Sequence, residues 1–167
     1  MATIPKTLRA CALYVDGTGY LGRANSLTLP KLTIKTEEHR AGGMDAPIEL
    51  DMGLEKLEAS FEMADMSATL MGHFGLFGGE VGITARGAAS DGTGTDTVIA
   101  EMRGRFKEVD LGDWKPGDKS ATKVSAALSY YRLTVAGVEV YEIDVINMVR
   151  KIGGVDQLAD FRAALGM

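Results

Sequence analysis

The last third of the chain, Thr122 to Leu165, constrains the fold more than any other stretch. From Thr122 to Tyr130, Val124, Ala126, Leu128 and Tyr130 share one side, while Lys123, Ser125, Ala127 and Ser129 take the other. A period of two is that of a strand with one buried face. The phase then slips, and Tyr131, Leu133 and Val135 carry the apolar side onward. A one-residue slip turns every later side chain over, so it marks a bulge or a change of packing surface. A second strand pattern follows Ala136-Gly137 and slips again, from Val138 and Val140 to Tyr141, Ile143 and Val145. Two readings are open: an irregular sandwich strand, or a strand that leaves its own core to pair with a neighbouring copy. Beyond the mixed run Ile143 to Val149 and Gly153-Gly154, Val155, Leu158, Phe161 and Leu165 recur at helical spacing. Asp156 is the expected N-cap and Gly166 the expected end. So short a helix needs packing on a sheet to persist.

The rest of the chain extends the β pattern. Leu8 to Val15 reads as a strand, Asp16-Gly17-Thr18-Gly19 as a turn, and Tyr20 to Leu29 as a returning strand. Pro30 cannot donate to a ladder and belongs at an edge or bend. Leu32 to Glu37 is a further strand, and Glu38 to Ala46 a polar loop. Ile48, Leu50 and Met52 alternate, as do Leu57, Ala59, Phe61 and Met63, with Glu58, Ser60 and Glu62 marking a wet opposite face. Ser67 to Phe74 is a short helix capped by Asp65 or Ser67 and weakened by Gly72. Val81 to Ala88 is a strand, and Asp91 to Thr95 a hairpin loop. Thr97 to Val109 is the cleanest strand, with Val98, Ala100, Met102 and Phe106 on one face and Glu101, Arg103, Arg105 and Lys107 on the other. Asp110 to Ser120 is an exposed loop. No repeat or linker divides residues 1–167, so one mainly β, antiparallel sandwich or barrel domain with one or two short flanking helices is expected.

A chain of 167 residues with a 46% hydrophobic fraction can bury a real core. The longest apolar run, Ala10 to Val15, is far too short to span a membrane, and no small-residue cleavage site follows it. A cytoplasmic site of synthesis without membrane insertion is expected. The single cysteine, Cys11, excludes an internal disulfide and lies in an apolar strand pattern, where a buried core thiol is expected.

Several motifs invite a chemical reading. Gly17-Thr18-Gly19-Tyr20-Leu21-Gly22 fits the spacing of a dinucleotide loop, but strand-like residues ending at Pro30 follow where a helix is required. Asp91 to Asp96 lacks the distal glutamate of a calcium loop and reads as a turn. His39 and His73 have no metal-spaced neighbours. Glu55, Glu58 and Glu62 would need a cleft that raises one pKa to act as acid and base, and the sequence offers none. Arg103, Arg105 and Lys107 form a basic stripe without the interleaved aromatics of a nucleic-acid track. Cross-strand partners for it are expected in Glu139 or Glu142, with an interface role as the functional reading. No catalytic residue, cofactor or metal is expected.

Glu142-Ile143-Asp144-Val145-Ile146-Asn147-Met148, followed by Gly153-Gly154-Val155-Asp156, resembles the C-terminal region of major tail tube proteins of contractile-tailed phages; the tubes of R-type bacteriocins are similar. In order upstream come Leu27-Thr28-Leu29-Pro30-Lys31-Leu32-Thr33, Arg40-Ala41-Gly42-Gly43-Met44, Met102-Arg103-Gly104-Arg105 with Lys107-Glu108, and Tyr131-Arg132-Leu133-Thr134. The resemblance therefore runs along nearly the whole chain.

That resemblance implies a structural protein of the virion tail, assembled in the bacterial host cytoplasm. It implies hexameric rings that stack into a tube inside a contractile sheath and conduct the genome. The partners it implies are further copies of the chain, the tail sheath protein, the tape measure protein, the baseplate and tail terminator proteins, and DNA in transit. It also implies that the loop from Glu38 to Gly53, through Arg40, Gly42, Gly43, Met44 and Pro47, contacts the adjacent ring. Acidic residues near the C-terminal helix are candidates for sheath contacts. Six copies at −5 each would carry −30, and any part of that facing the bore would repel DNA from the wall. The alternatives are a type VI secretion or R-type bacteriocin tube protein, a nucleotide-binding enzyme using Gly17 to Gly22, and a monomeric β-sandwich binding module.

Overall fold

The alternating segments become strands whose inward residues converge on one side. The computed structural model describes residues 4–167, and among these are twelve strands and two short helices. In chain order they are β1 (Thr7–Val15), β2 (Thr18–Gly19), β3 (Ala24–Thr28), β4 (Ile34–His39), β5 (Ile48–Leu54), β6 (Leu57–Met63), α1 (Ala68–Met71), β7 (Val81–Ser90), β8 (Thr95–Asp110), β9 (Thr122–Val135), β10 (Val138–Asp144), β11 (Val149–Ile152), β12 (Val155–Asp156) and α2 (Ala159–Leu165). Ten strands form one antiparallel sheet in the order β12-β11-β10-β9-β8-β7-β1-β2, with β6 and then β3 attached to β9 on the edge it also presents to β10. β4 and β5 hydrogen-bond with each other as a separate hairpin. The expected mainly β, antiparallel class with short helices is the one the chain adopts.

β9 organises this arrangement. β8 lines one edge throughout, while the other edge pairs with β6 over Thr122 to Leu128 and with β10 over Tyr130 to Val135. The change of partner falls at Ser129, where the β8–β9 register jumps from Arg103↔Tyr130 to Gly104↔Leu128. The phase slip in the sequence is thus a β-bulge. A second register shift, between Glu139 and Tyr141, accounts for the other slip. β10 pairs within its own chain on both sides, with β9 and β11, so the reading in which it leaves to join a neighbour is set aside.

One core receives Leu13 and Val15 from β1, Ala59, Phe61 and Met63 from β6, Val81 and Ile83 from β7, and Met102 and Phe106 from β8. Val124, Ala126, Tyr131 and Ile143 complete it from β9 and β10. The Phe61 and Phe106 rings meet edge to face, 5.7 Å between centroids. Each fully buried side chain of this size contributes roughly 1.5–3 kcal/mol of transfer free energy. α1 places Leu70 in the core, and Ser67 Oγ accepts the Leu70 N–H at 3.4 Å.

Several expectations need correcting. The strand read from Tyr20 to Leu29 begins at Ala24, because Tyr20 turns inward, fully buried, and its N–H donates to the Leu13 carbonyl while Leu21 to Arg23 make a turn. The next strand runs two residues later than expected, and the polar loop shrinks to 40–47. α1 is one turn long, shorter than Ser67 to Phe74. Cys11 is exposed rather than buried, because it lies on a part of β1 that extends past the packed layer. Asp156 lies in β12, and the residue flanking α2 is Leu158, which makes no side-chain cap. Nor does α2 bury a residue against the sheet.

Gly104 is required at the bulge. A Cβ there would lie 2.8 Å from the Leu128 Cα and closer still to the Ala127 carbonyl oxygen, both of them backbone. Gly104→Ala should cost about 2 kcal/mol or more in a denaturant titration. Gly82→Ala, on β7 with nothing within 4 Å of the added atom, should change stability by no more than about 0.5 kcal/mol. Equal effects would mean that the bulge does not constrain the sheet.

Candidate functional site

The outer face of the sheet carries a continuous row of alternating charge. Strand register aligns Glu101, Arg132, Glu142, Lys151 and Asp156 across β8 to β12. Arg132 Nε donates to Glu101 at 2.6 Å, Lys151 Nζ to Glu142 at 2.9 Å, and Tyr130 Oη to Glu142 at 3.1 Å. The Lys151 bond, helped by Tyr130, holds the Glu142 carboxyl below its usual range, and in return raises Lys151. Exposed pairs of this kind are individually worth about 0–1 kcal/mol, so the row sets charge pattern more than stability.

Glu142 and Glu139 are therefore not the partners of the basic stripe, contrary to expectation. Lys107 bonds to Glu58 of β6, reaching across β9. Lys56 binds the same carboxylate at 3.0 Å, and the two lysines, Lys107 foremost, lower the Glu58 pKa. A carboxyl kept ionised in this way is the opposite of a catalytic acid. Arg103 stacks over the Tyr130 ring with its guanidinium carbon 4.4 Å from the centroid. Arg105 makes no ion pair among the described residues.

The other candidates lie on a different element. Arg40, Gly42, Gly43, Met44 and Pro47 form the exposed tip of the β4–β5 hairpin, with Met44 half-buried. The Met44 N–H donates to the Ala41 carbonyl at 3.2 Å, and Gly43 supplies the left-handed φ of 92° that the turn requires. The structure does not bring this tip and the Arg103–Lys107 stripe into one site; they are two separate surfaces.

Sequence reasoning missed a third. The base of the hairpin, β9, β10, β11 and α2 enclose a mainly apolar groove of about 670 Å³, lined by Met52, Leu54, Leu128, Met148, Leu158 and Phe161 among others. An ion pair, Arg150 to Asp51 at 3.2 Å, ties the two walls. The missed signal was Phe161: its helical spacing suggested a packed side chain, yet it is 62% exposed. α2 is held instead by Arg162, which donates to the Met148 carbonyl at 2.7 Å and to Asp156 at 2.6 Å. Asp156 also accepts the Leu158 N–H at 3.0 Å. The remaining motifs are local turns. Asp91 accepts from the Thr93 and Gly94 backbones, which with the Thr93 hydroxyl bring its pKa to about 2. Gly17 to Gly22 span a tight hairpin and a second turn that lead into β3, where a nucleotide loop would lead into a helix. Among the described residues no helix is long and apolar enough to cross a membrane.

Comparison with known proteins decides among the readings. The family described as "Phage tail tube protein FII" matches residues 5–166. The chain belongs to this family. It is 37% identical over 171 residues to the tail tube protein of Escherichia phage P2, covering 98% of this chain and 99% of that one. It is 36% identical over 167 residues to the major tail tube protein of Serratia phage KSP20, covering 98% of each. Two solved structures share the fold at 10% identity and cover 75% of this chain. One is the sheath–tube complex of an extracellular contractile injection system in its extended state (TM-score 0.58, 88% of that chain), the other the sheath/tube terminator of the same system (TM-score 0.57, 93% of that chain). Phage tail tube proteins are structural components of the virion tail, not a class of enzymes.

The Asp156–Arg162 contact sets a pH limit on α2. Arg162 first, and the Leu158 N–H second, bring the Asp156 pKa from the ordinary 3.8 to about 2. A carboxyl with a depressed folded pKa stabilises the fold above its unfolded value and loses that contribution as pH falls through the folded one. Helical NMR shifts of residues 159–165 should persist from pH 7 down to about 4 and disappear between about 4 and 2. Disappearance above pH 5, or persistence at pH 2, would show that another contact holds the helix.

Proposed function

We propose that the chain is the subunit of the inner tube of a contractile phage tail, forming hexameric rings that stack into a hollow conduit for the genome. Family membership over nearly the full length is the observation that carries this reading. The surface supports it. Ile48, Leu50 and Met52 on the hairpin, Phe77 in the loop after α1, and Phe161 and Leu165 on α2 are large apolar side chains left 42–99% exposed. Apolar surface in several patches on one small chain is characteristic of a protein that is covered by partners.

The assembly has a simple geometric logic. The exposed hairpin and the sheet face differ in shape and charge, so contact between them is heterologous; such contacts close into rings or repeat into filaments. Arg40, Gly42, Gly43, Met44 and Pro47 at the hairpin tip are the proposed contacts to an adjacent ring, and Arg103 and Arg105 of the basic stripe the proposed contacts at a subunit seam. Lys107 is already engaged by Glu58 and contributes there as a strut. The sheath, terminator, baseplate and tape measure proteins are the proposed further partners, with DNA passing without stable binding. No catalytic step is part of this reading.

Negative-stain microscopy of the purified protein at high concentration tests it. Annuli or hollow rods are expected. A dispersed monomer, in microscopy and in sedimentation velocity at the same concentration, would contradict it.

A further inference from the structure

Much of the apolar surface that this chain leaves uncovered lies on its loops, on the β4–β5 hairpin and on α2. Among the described residues, no large apolar side chain of β7, β8 or β9 is left exposed. Val138 of β10 and Ile152 of β11 are exposed, but register places them beside Val135 and Tyr141, on the side of the sheet that faces the core. The opposite face of β7 to β11 is thus a broad surface that needs no apolar cover.

What that face carries instead is charge in matched rows. One row runs Thr84, Glu101, Arg132, Glu142 and Lys151, and the next runs Arg86, Ile99, Thr134 and Glu139. In the first row the ion pairs Arg132–Glu101 and Lys151–Glu142 engage every charge. In the second, Arg86 and Glu139 stand at the two ends and make no ion pair among the described residues. Arg86 is diagonal to Glu101, and Glu139 lies in the field of Arg132 and Lys151, so each still faces opposite charge across the strands. The cations of the two rows cancel their anions, whereas the whole chain carries −5. One row further, Arg103 begins the stripe proposed above for the subunit seam and marks the border of the face.

We infer that this face lines the bore of the assembled tube, and that it meets a passing phosphate backbone with a charge-paired wall of no net charge rather than an acidic one. A conduit for a polyanion must avoid free cations, which hold phosphates by counterion release, and apolar constrictions, which close a narrow channel by dewetting. The face meets both conditions. To hold a phosphate, Arg132 or Lys151 would have to give up an existing ion pair. The excess acid of the chain then belongs to the seams and the outside of the tube, not to the bore. The inference rests on the tube proposed above and adds which face looks inward and with what charge.

Thiol reagents of different size and charge test it on assembled tubes. Thr84→Cys and Thr134→Cys are made separately in a Cys11→Ser or Cys11→Ala background, whichever forms tubes, so that each chain holds one thiol. Both positions should react with a small neutral maleimide and resist a maleimide carried on a globular protein too bulky to pass along the bore. Cationic and anionic methanethiosulfonates, each scaled to its rate with free cysteine, should react within about fivefold of one another at both positions. Reaction with the protein-borne maleimide would place the face on the outside, and protection from every reagent would place it in a seam; either result overturns the inference. A larger preference for one charged reagent would mean a charged bore and overturn the pairing. Loss of tubes in both variants, while the cysteine-free background still forms them, would show a packed face and overturn the inference as well. Failure of the unmodified protein to form tubes would instead overturn the proposed function.

Discussion

The exchange of partners along β9 is the constraint on which the rest of the structure depends. One strand cannot hold β6 and β10 on the same edge unless its side chains keep facing the core across the junction. The bulge at Ser129 achieves this by inserting one residue, so that Leu128 and Tyr131 both point inward where strict alternation would turn one of them out. The close approach it creates leaves space only for glycine at position 104. Everything after Tyr130, including β10, β11, β12 and α2, inherits its placement from that junction.

From this follows the division of the molecule into a closed part and open parts. Around β6, β7, β8 and the first half of β9 the core is apolar and continuous. Away from it, strands outrun the layer that could cover them. At the far end of β1, Leu8 and Cys11 are exposed, and the β4–β5 hairpin hydrogen-bonds with no strand of the main sheet. On the outer face the charges are matched in a row from Glu101 to Asp156, which leaves that surface polar and self-neutralised. A tail tube subunit needs this combination: a rigid centre that sets geometry, and peripheral faces that become buried when copies meet.

Much of this was legible in the sequence because period-two alternation reports a half-buried strand directly. The long strands, the Ala136-Gly137 turn and both phase slips could be read from residue spacing, and the slips proved to be bulges. The family resemblance, carried by short pieces in order, was confirmed over nearly the whole length. What escaped were features set by tertiary context. Alternation at Ile48, Leu50 and Met52 says that one face is apolar, but not whether that face is covered. Cys11 sits in a core-like pattern on a strand that has outrun the core. Asp156 has the chemistry of an N-cap, yet it serves β12 and Arg162. Lys107 finds Glu58 two strands away, a pairing that depends on sheet order and cannot be read from spacing along one strand. The acidic balance of the chain belongs to the bore hypothesis at the level of six copies, whereas the single chain shows local pairing.

The central claim is that the exposed β4–β5 hairpin is covered by other copies of the same chain. Hydrogen exchange of the backbone amides of residues 34–54, compared between dispersed and assembled protein, tests it most directly. Exchange should be fast in the dispersed chain, where the ribbon hydrogen-bonds with no third strand, and slowed at least tenfold on assembly. Equal, rapid exchange in both states would contradict the account.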